Sequence, residues 1–324
     1  MALAFSVPDT ELSLTLANRR AQVVDQIFKG TAFLNLLRMK GAVDTVSGGN
    51  EMVVPLRFAK NTTFGSFDAY DILDTTPQDT ETSAKFPWAQ DYATITLAWT
   101  EEMKNQGRGK LIDILNQKID DATDTIRDGL NTQLLQVAPG AASKDPISIS
   151  EHVQSAPTTA PARLASVGGI TCSSSANVWW RNKFTNGGSF STSDMNTMYN
   201  NVSDGVEPPT CILTSQTVFE YYENSQVGQI RYADTKMADA GFQTLMFKAV
   251  PIAWEPLIGI TDSMYFLNFK YLRLQLMMGA DFITTDFVTP DNQAAKTAKL
   301  LWMGNLICSA RRRQGTLFSI TAPA

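Results

Sequence analysis

The sequence runs to 324 residues, 44% of them hydrophobic, with a formal net charge of -5 and a single histidine. That length and apolar content suffice for one large or two ordinary domains around a real core. The negative balance excludes a protein that coats nucleic acid through a broad basic surface, because such binding draws on phosphate neutralisation.

The opening MALAFSVPDTELSL lacks the basic region of a secretory signal. No apolar run reaches the ~20 residues that span a bilayer, so no membrane passage is expected. Leu12, Leu16, Val23, Val24, Ile27 and Phe28 recur at helical spacing up to Gly30. Thr31 is placed to cap a second, short helix carrying Phe33, Leu34, Leu36 and Leu37; it ends on Arg38 and Lys40 and stops at Gly41. After Ser47-Gly48-Gly49, the residues Met52, Val54, Leu56 and Phe58 alternate as a strand, and Ala93, Ile95, Leu97 and Trp99 alternate as its expected partner. Between them, Lys60 to Lys85 has no sustained periodicity and holds Asp68, Asp71, Asp74, Asp79 and Glu81. A loop of this length is uncommon inside a compact domain. It is either a projecting hairpin arm that orders against a neighbour or a solvated loop.

Leu111, Leu115, Ile119, Ala122, Ile126, Leu130 and Leu134 mark a long one-sided helix, with Lys118, Asp120, Asp121, Asp124 and Asp128 opposite and Pro139-Gly140 ending it. Gly107 and Gly109 near its start are candidates for a hinge. Ala141 to Ser166, rich in Ser, Thr, Pro and Ala, reads as a long surface connection in which His152 is a solvated loop residue. Ser193 is positioned to cap a helix with Met198, Tyr199 and Val202, stopped by Pro208-Pro209. Cys211-Ile212-Leu213 reads as a buried strand, and Ser215 starts a helix with Phe219 and Tyr222. From Gly241 the pattern is mostly strands: 242–247, 264–267, 271–276 with Leu272, Leu274 and Leu276 on one face, then Leu306-Ile307-Cys308 and Leu317 to Ile320. The fold class is α+β.

Little of this carries chemistry. One histidine leaves no material for His-based metal sites or the common nucleophilic triads, and nucleotide-binding and acyl-transfer signatures are absent. Cys172, Cys211 and Cys308 lie far apart and read as buried, reduced side chains. No catalytic residue, cofactor or metal is expected. Arg311-Arg312-Arg313, the one compact basic run, reads as a solvated strand end or as a contact for the acidic Asp68 to Glu81 stretch of another copy. Trp179-Trp180, Tyr221-Tyr222 and Trp254 read as core or subunit-contact aromatics.

Several segments resemble tailed-bacteriophage major capsid proteins: Thr45 to Gly49 with Val53-Val54-Pro55-Leu56, Asn61 to Phe64 with Tyr70 to Pro77, and Gly168-Gly169-Ile170 before Trp179 to Asn182. So do Ala240-Gly241-Phe242, Met264 to Asn268 with Tyr271-Leu272, and Gly304-Asn305-Leu306 with Gln314-Gly315. The resemblance runs in order from about residue 33 to 317 and implies the Hong Kong 97-type capsid fold. On that pattern 1–48 form an N-terminal arm, 49–99 an extended hairpin loop, 100–190 the spine helix and first part of the peripheral domain, 191–263 the axial domain and 264–324 the return strands of the peripheral domain. It implies a structural protein, not an enzyme, whose pentamers and hexamers enclose double-stranded DNA without sequence-specific binding, found in the virion after assembly in the host cytoplasm. Its implied partners are itself, a separate scaffolding protein, a portal and a decoration protein. Lys60 and Lys85 are the hairpin lysines available to the Lys-Asn cross-link found in one branch of that family. An encapsulin-type nanocompartment shell and a soluble carboxylate-dependent hydrolase are the alternative readings.

Overall fold

The computed structural model describes residues 32–104, 114–137, 139, 143–161, 163–205, 207–226, 245–256, 259, 262–290 and 293–323. The helix expected across Leu12 to Phe28, the cap at Thr31, the glycine pair Gly107 and Gly109, and Ala240-Gly241-Phe242 lie outside the described residues.

The first described helix, α1 (Ala32–Met39), buries Phe33, Leu36 and Leu37. Gly41, at φ +65, closes it: Ala42 N–H donates to Leu37 O (2.8 Å) and Gly41 N–H to Arg38 O (3.0 Å). This crossed pair satisfies carbonyls the helix end would leave open, and its left-handed residue favours glycine.

Strand β1 (Val43–Val46) then pairs in parallel with β10 (Leu272–Met277). The latter pairs antiparallel with β12 (Ala295–Cys308), which also takes β11 (Ile283–Thr284) and β4 (Ala89–Ala98) along its length. These five strands form one sheet. Its inner side holds Ile95, Leu97, Leu272, Leu274, Leu276, Leu300 and Trp302, against which the long helix α3 (Ile114–Leu135) lays Ala122, Ile126, Leu130 and Leu134. Each fully buried aliphatic side chain contributes about 1.5–3 kcal/mol, and the solvent side of α3 carries Asp120 and Asp121. A six-residue helix, α2 (Trp99–Lys104), precedes it.

A second sheet has the order β5-β13-β9-β6-β8-β7, comprising β5 (Lys183–Ser189), β6 (Cys211–Thr214), β7 (Leu245–Phe247), β8 (Val250–Trp254), β9 (Met264–Leu267) and β13 (Gly315–Thr321). Its central strands are buried on both faces. Along β9, Met264 and Phe266 face α5 (Thr192–Ser203) and α6 (Gln216–Ser225), while Tyr265 and Leu267 join the core of the first sheet. Strands covered on both sides read as unbroken apolar runs, and β6 and β9 are buried at every position. This sheet therefore draws on 183–189, 264–267 and 315–321 as well as on the 191–263 stretch.

Three expectations change. Met52–Arg57 (β2) pairs antiparallel with Glu81–Phe86 (β3), not with Ala93 to Trp99. The 93–98 stretch belongs to β4 and pairs with β12, while Trp99 opens α2. Its apolar periodicity is that of a sheet strand over a helix; β3 was hidden because only Ala84 and Phe86 of its six residues are buried. The 141–166 connection is also not a surface loop throughout: Ile147, Ser148, Ile149, Glu151, His152 and Val153 are buried around a one-turn helix, α4 (Ile149–His152). A capping box fixes that turn, with Glu151 Oε2 accepting from Ser148 N–H (2.9 Å).

Candidate assembly surface

The hairpin β2–β3 has two unlike ends. At its base Met52, Leu56, Ala84 and Phe86 pack on Ile147, Val167, Cys172, Trp180 and Ile307. Gly168 lies directly beneath: its φ is +63, Lys85 N–H donates to its carbonyl (3.0 Å), and a Cβ there would sit 2.9 Å from that of Ala84. Trp180 Nε1 donates to Val167 O (2.9 Å), and Trp179 stacks at 5.5 Å on Phe58, where the hairpin leaves the body.

Below this base lies a buried polar cluster that the sequence did not announce. Arg163 and Glu151 form an ion pair at 2.8 Å, both nearly solvent-free. Asn305 ties the cluster to the hairpin, accepting from Ile147 N–H (2.7 Å) and donating to Pro87 O (2.8 Å). His152 is buried, not solvated: its Nε2 meets Leu306 O at 2.9 Å and its ring packs on Phe86 at 5.8 Å. Burial, with the neighbouring Arg311 charge, holds it neutral and pushes its pKa down to about 3.

Arg311 leaves the set of expected inter-subunit contacts, because it is buried within its own chain. Its guanidinium donates to His152 O (2.8 Å), Cys172 Sγ (2.7 Å) and Gln154 Oε1 (3.0 Å). Arg312 stays half-exposed and pairs with Asp204 (2.6 Å), while Arg313, partly buried, donates to Ser203 O (2.6 Å). Three adjacent arginines looked alike in sequence; the 3-10 turn they form (Arg311–Arg313) buries the first and sends the other two toward Ser203 and Asp204. The three cysteines are free and buried, as expected, and burial pushes the Cys211 and Cys308 thiols up to about 12.

The far end, residues 58–80, carries no strand, and almost all of it is exposed. Phe64, Tyr70 and Ile72 are at least 95% exposed, and Phe67 and Leu73 are mostly so. Asp68, Asp71 and Asp74 are exposed too, yet each shapes the tip. Asp68 N–H donates to Asp71 Oδ2 (2.8 Å), and Asp74 Oδ1 accepts from Thr76 N–H (2.9 Å) and Oγ1 (2.6 Å), bonds that lower the Asp74 pKa. Asp79, Glu81, Lys60 and Lys85 are exposed along the same arm.

A second exposed apolar patch lies on the outer face of the five-stranded sheet. Tyr92, Leu301 and Ile283 stand in one row across β4, β12 and β11, all exposed, with Lys299 beside them. A shallow groove of about 400 Å³ runs here, lined by Tyr92, Lys299, Leu301 and Met303.

No group of three or more His, Cys, Asp or Glu side chains among the described residues is placed to hold a metal ion. Asp91 and Asp145 share one donor, the Gln133 amide (3.1 and 3.3 Å), which links β4, α3 and the following loop. No described helix is long and apolar enough to cross a membrane.

No family model matches the sequence, and no curated protein sequence does. Solved structures do match in shape. The chain is similar to the capsid protein in the cyanophage A-1(L) capsid asymmetric unit, with a TM-score of 0.72 at 14% identity over 93% of this chain and 96% of that one. This is a Hong Kong 97-type capsid fold. The capsid of the native GTA particle matches at TM-score 0.62 and 9% identity, covering 93% and 94% of the two chains. The SrpI encapsulin of Synechococcus elongatus PCC 7942 matches at 0.56 and 7%, covering 94% and 95%.

Proposed function

We propose that the protein is the major capsid protein of a tailed bacteriophage. Copies of it would form pentamers and hexamers that close into an icosahedral shell around double-stranded DNA. The observation that carries this reading is the capsid fold over nearly the whole chain together with an arm whose aromatic and aliphatic side chains have no cover of their own. Exposed apolar groups on this scale mark a protein contact. The arm of one copy lies over the outer sheet face of the next: Phe64, Phe67, Tyr70 and Ile72 meet Tyr92, Leu301 and Ile283, while the tip's aspartates face Lys299. Closed point-group symmetry repeats the contact around every capsomer. The acidic balance suits a container that encloses DNA without adhering to it. A separate scaffolding protein, a portal and a decoration protein are the partners such a shell takes, and the virion is its location.

The encapsulin match supports a second reading, a shell around cargo protein. Electron microscopy and sedimentation of the chain, expressed alone and with its genomic neighbours, test both. Closed shells or free pentamers and hexamers are expected, with DNA inside shells from infected cells; cargo protein instead favours the encapsulin reading, and a stable monomer or dimer under all conditions overturns both.

A further inference from the structure

The buried carboxylate of Glu255 has no role in the assembly surface, and its surroundings are unusual. It follows β8 and is fully buried where three elements meet. Its Oε2 accepts from Phe33 N–H in the first turn of α1 (3.0 Å), its Oε1 from Asn131 Nδ2 on α3 (3.3 Å), and its own N–H donates to Thr214 O at the end of β6 (3.0 Å). Among the described residues no cation pairs with it. The one charged residue of α1, Arg38, is exposed at the opposite end of that helix, and β6 and β8 carry no charged side chain. From α3 the facing charge is another acid, Asp128.

Two further atoms point the same way. Asn131 Oδ1 and Asp128 Oδ1 are buried and have no hydrogen-bond partner. A dry carboxyl with an acid beside it and an unused amide oxygen within reach is better satisfied with a proton on it. A protonated Glu255 donates where the ionised form only accepts, and a rotated Asn131 amide offers the acceptor.

We infer that Glu255 is a proton-dependent latch which holds α1, the root of the N-terminal segment, against α3 and the second sheet when protonated and weakens that hold when ionised. The helix start favours the anion through its two backbone donors, at Phe33 and Ala32. Burial and Asp128 work against it and prevail, pushing the carboxyl up to about 7. With α1 displaced, water reaches the carboxyl and its ordinary acidity returns. The docked arrangement therefore binds the proton more tightly; docking is strongest in acid and is lost as pH rises through neutrality.

The inference concerns contacts within one chain and stands whether or not the shell reading holds. Hydrogen exchange of the full chain, corrected for the intrinsic pH dependence of exchange, reads it in peptides covering residues 32–42. Protection there falls by about 50-fold between pH 5 and pH 8 in the wild type, and Glu255→Gln, always neutral, removes the slope. Asp128→Asn moves the midpoint to lower pH and keeps the test decisive where Glu255→Gln does not fold. A flat wild-type profile, a slope that survives Glu255→Gln, or an unmoved midpoint in Asp128→Asn overturns the latch.

Discussion

The base of the hairpin buries polar groups, and its tip exposes apolar ones. At the base, Glu151, Arg163, His152, Asn305 and Arg311 sit out of water in a hydrogen-bonded set that leaves only His152 Nδ1 among their buried side-chain atoms without a partner. Beyond the ends of the two strands, in the strand-free tip, Phe64, Tyr70 and Ile72 stand almost wholly in solvent. Both arrangements invert the ordinary partition of side chains, and they differ in who compensates them. The base finds its partners inside the chain, so its polar cluster fixes one direction for the arm. The tip finds none there, and in the proposed shell a second molecule supplies them.

The sharpest way to break the base is to remove one half of its ion pair. Glu151→Ala strips Arg163 of its carboxylate and the Ser148 N–H of its acceptor, leaving a buried charge uncompensated. Such losses cost about 3–5 kcal/mol. Chemical denaturation of the unassembled chain should show that drop, and a change under 1 kcal/mol means the cluster is not what pins the arm.

Acid attacks the same cluster through His152. Its folded pKa is depressed to about 3, so the stability it carries is present above the ordinary imidazole value and is lost as pH falls toward 3. Between pH 7.5 and pH 5 that amounts to about 2 kcal/mol. Glu255 has the opposite sign over much of the same range, since its folded pKa is raised. The wild-type profile is therefore flattened, and the histidine slope emerges in the Glu255→Gln background and disappears again when His152→Gln is added.

Gly168→Ala tests the seam between hairpin and body. The new methyl meets Ala84 Cβ at 2.9 Å at a position whose φ of +63 already disfavours it. A loss of about 1–3 kcal/mol is expected in denaturant melts, smaller than that of the ion pair because the hairpin base shifts to admit the methyl. A neutral outcome shows that the arm is not seated on this turn.

What the sequence revealed follows burial periodicity closely. The α3 stripe, the Gly41 stop, the 211–213 strand and the Leu272, Leu274, Leu276 face were legible because one-sided burial imposes a period. β12 was visible only at its last residues. Leu300 and Leu301 point to opposite faces, and the exposed Leu301 made an alternating strand look like an apolar doublet. The polar cluster was illegible for a different reason. His152, Arg163, Asn305 and Arg311 come from segments up to 159 residues apart and meet only in space, so no spacing marks them. The capping pattern of Ser148 with Glu151 was the one local sign that the Pro/Thr-rich connection holds a structured turn. At the tip the acids drew attention in sequence because they repeat, yet Asp68, Asp71 and Asp74 mainly shape turns, and the aromatic and aliphatic side chains between them are the part without a local partner.

That distinction yields the smallest stability change and the sharpest functional contrast. In the free chain Phe64, Tyr70 and Ile72 have almost no surface left to lose, so Phe64→Ser, Tyr70→Ser and Ile72→Ser together should shift the unfolding free energy by no more than about 0.5 kcal/mol. In the proposed contact each of these side chains is buried once per copy, and burying one is worth about 1.5–3 kcal/mol. Sedimentation of the triple variant is therefore expected to show folded, unassembled subunits under conditions where the wild type closes. Lys299→Glu, placed on the receiving face opposite the tip's aspartates, should weaken assembly less and in a salt-dependent way, as a contact at the rim of an interface does. Shells that form normally from the triple variant would place the self-contact elsewhere on the molecule and leave the tip's exposed apolar surface to a different protein.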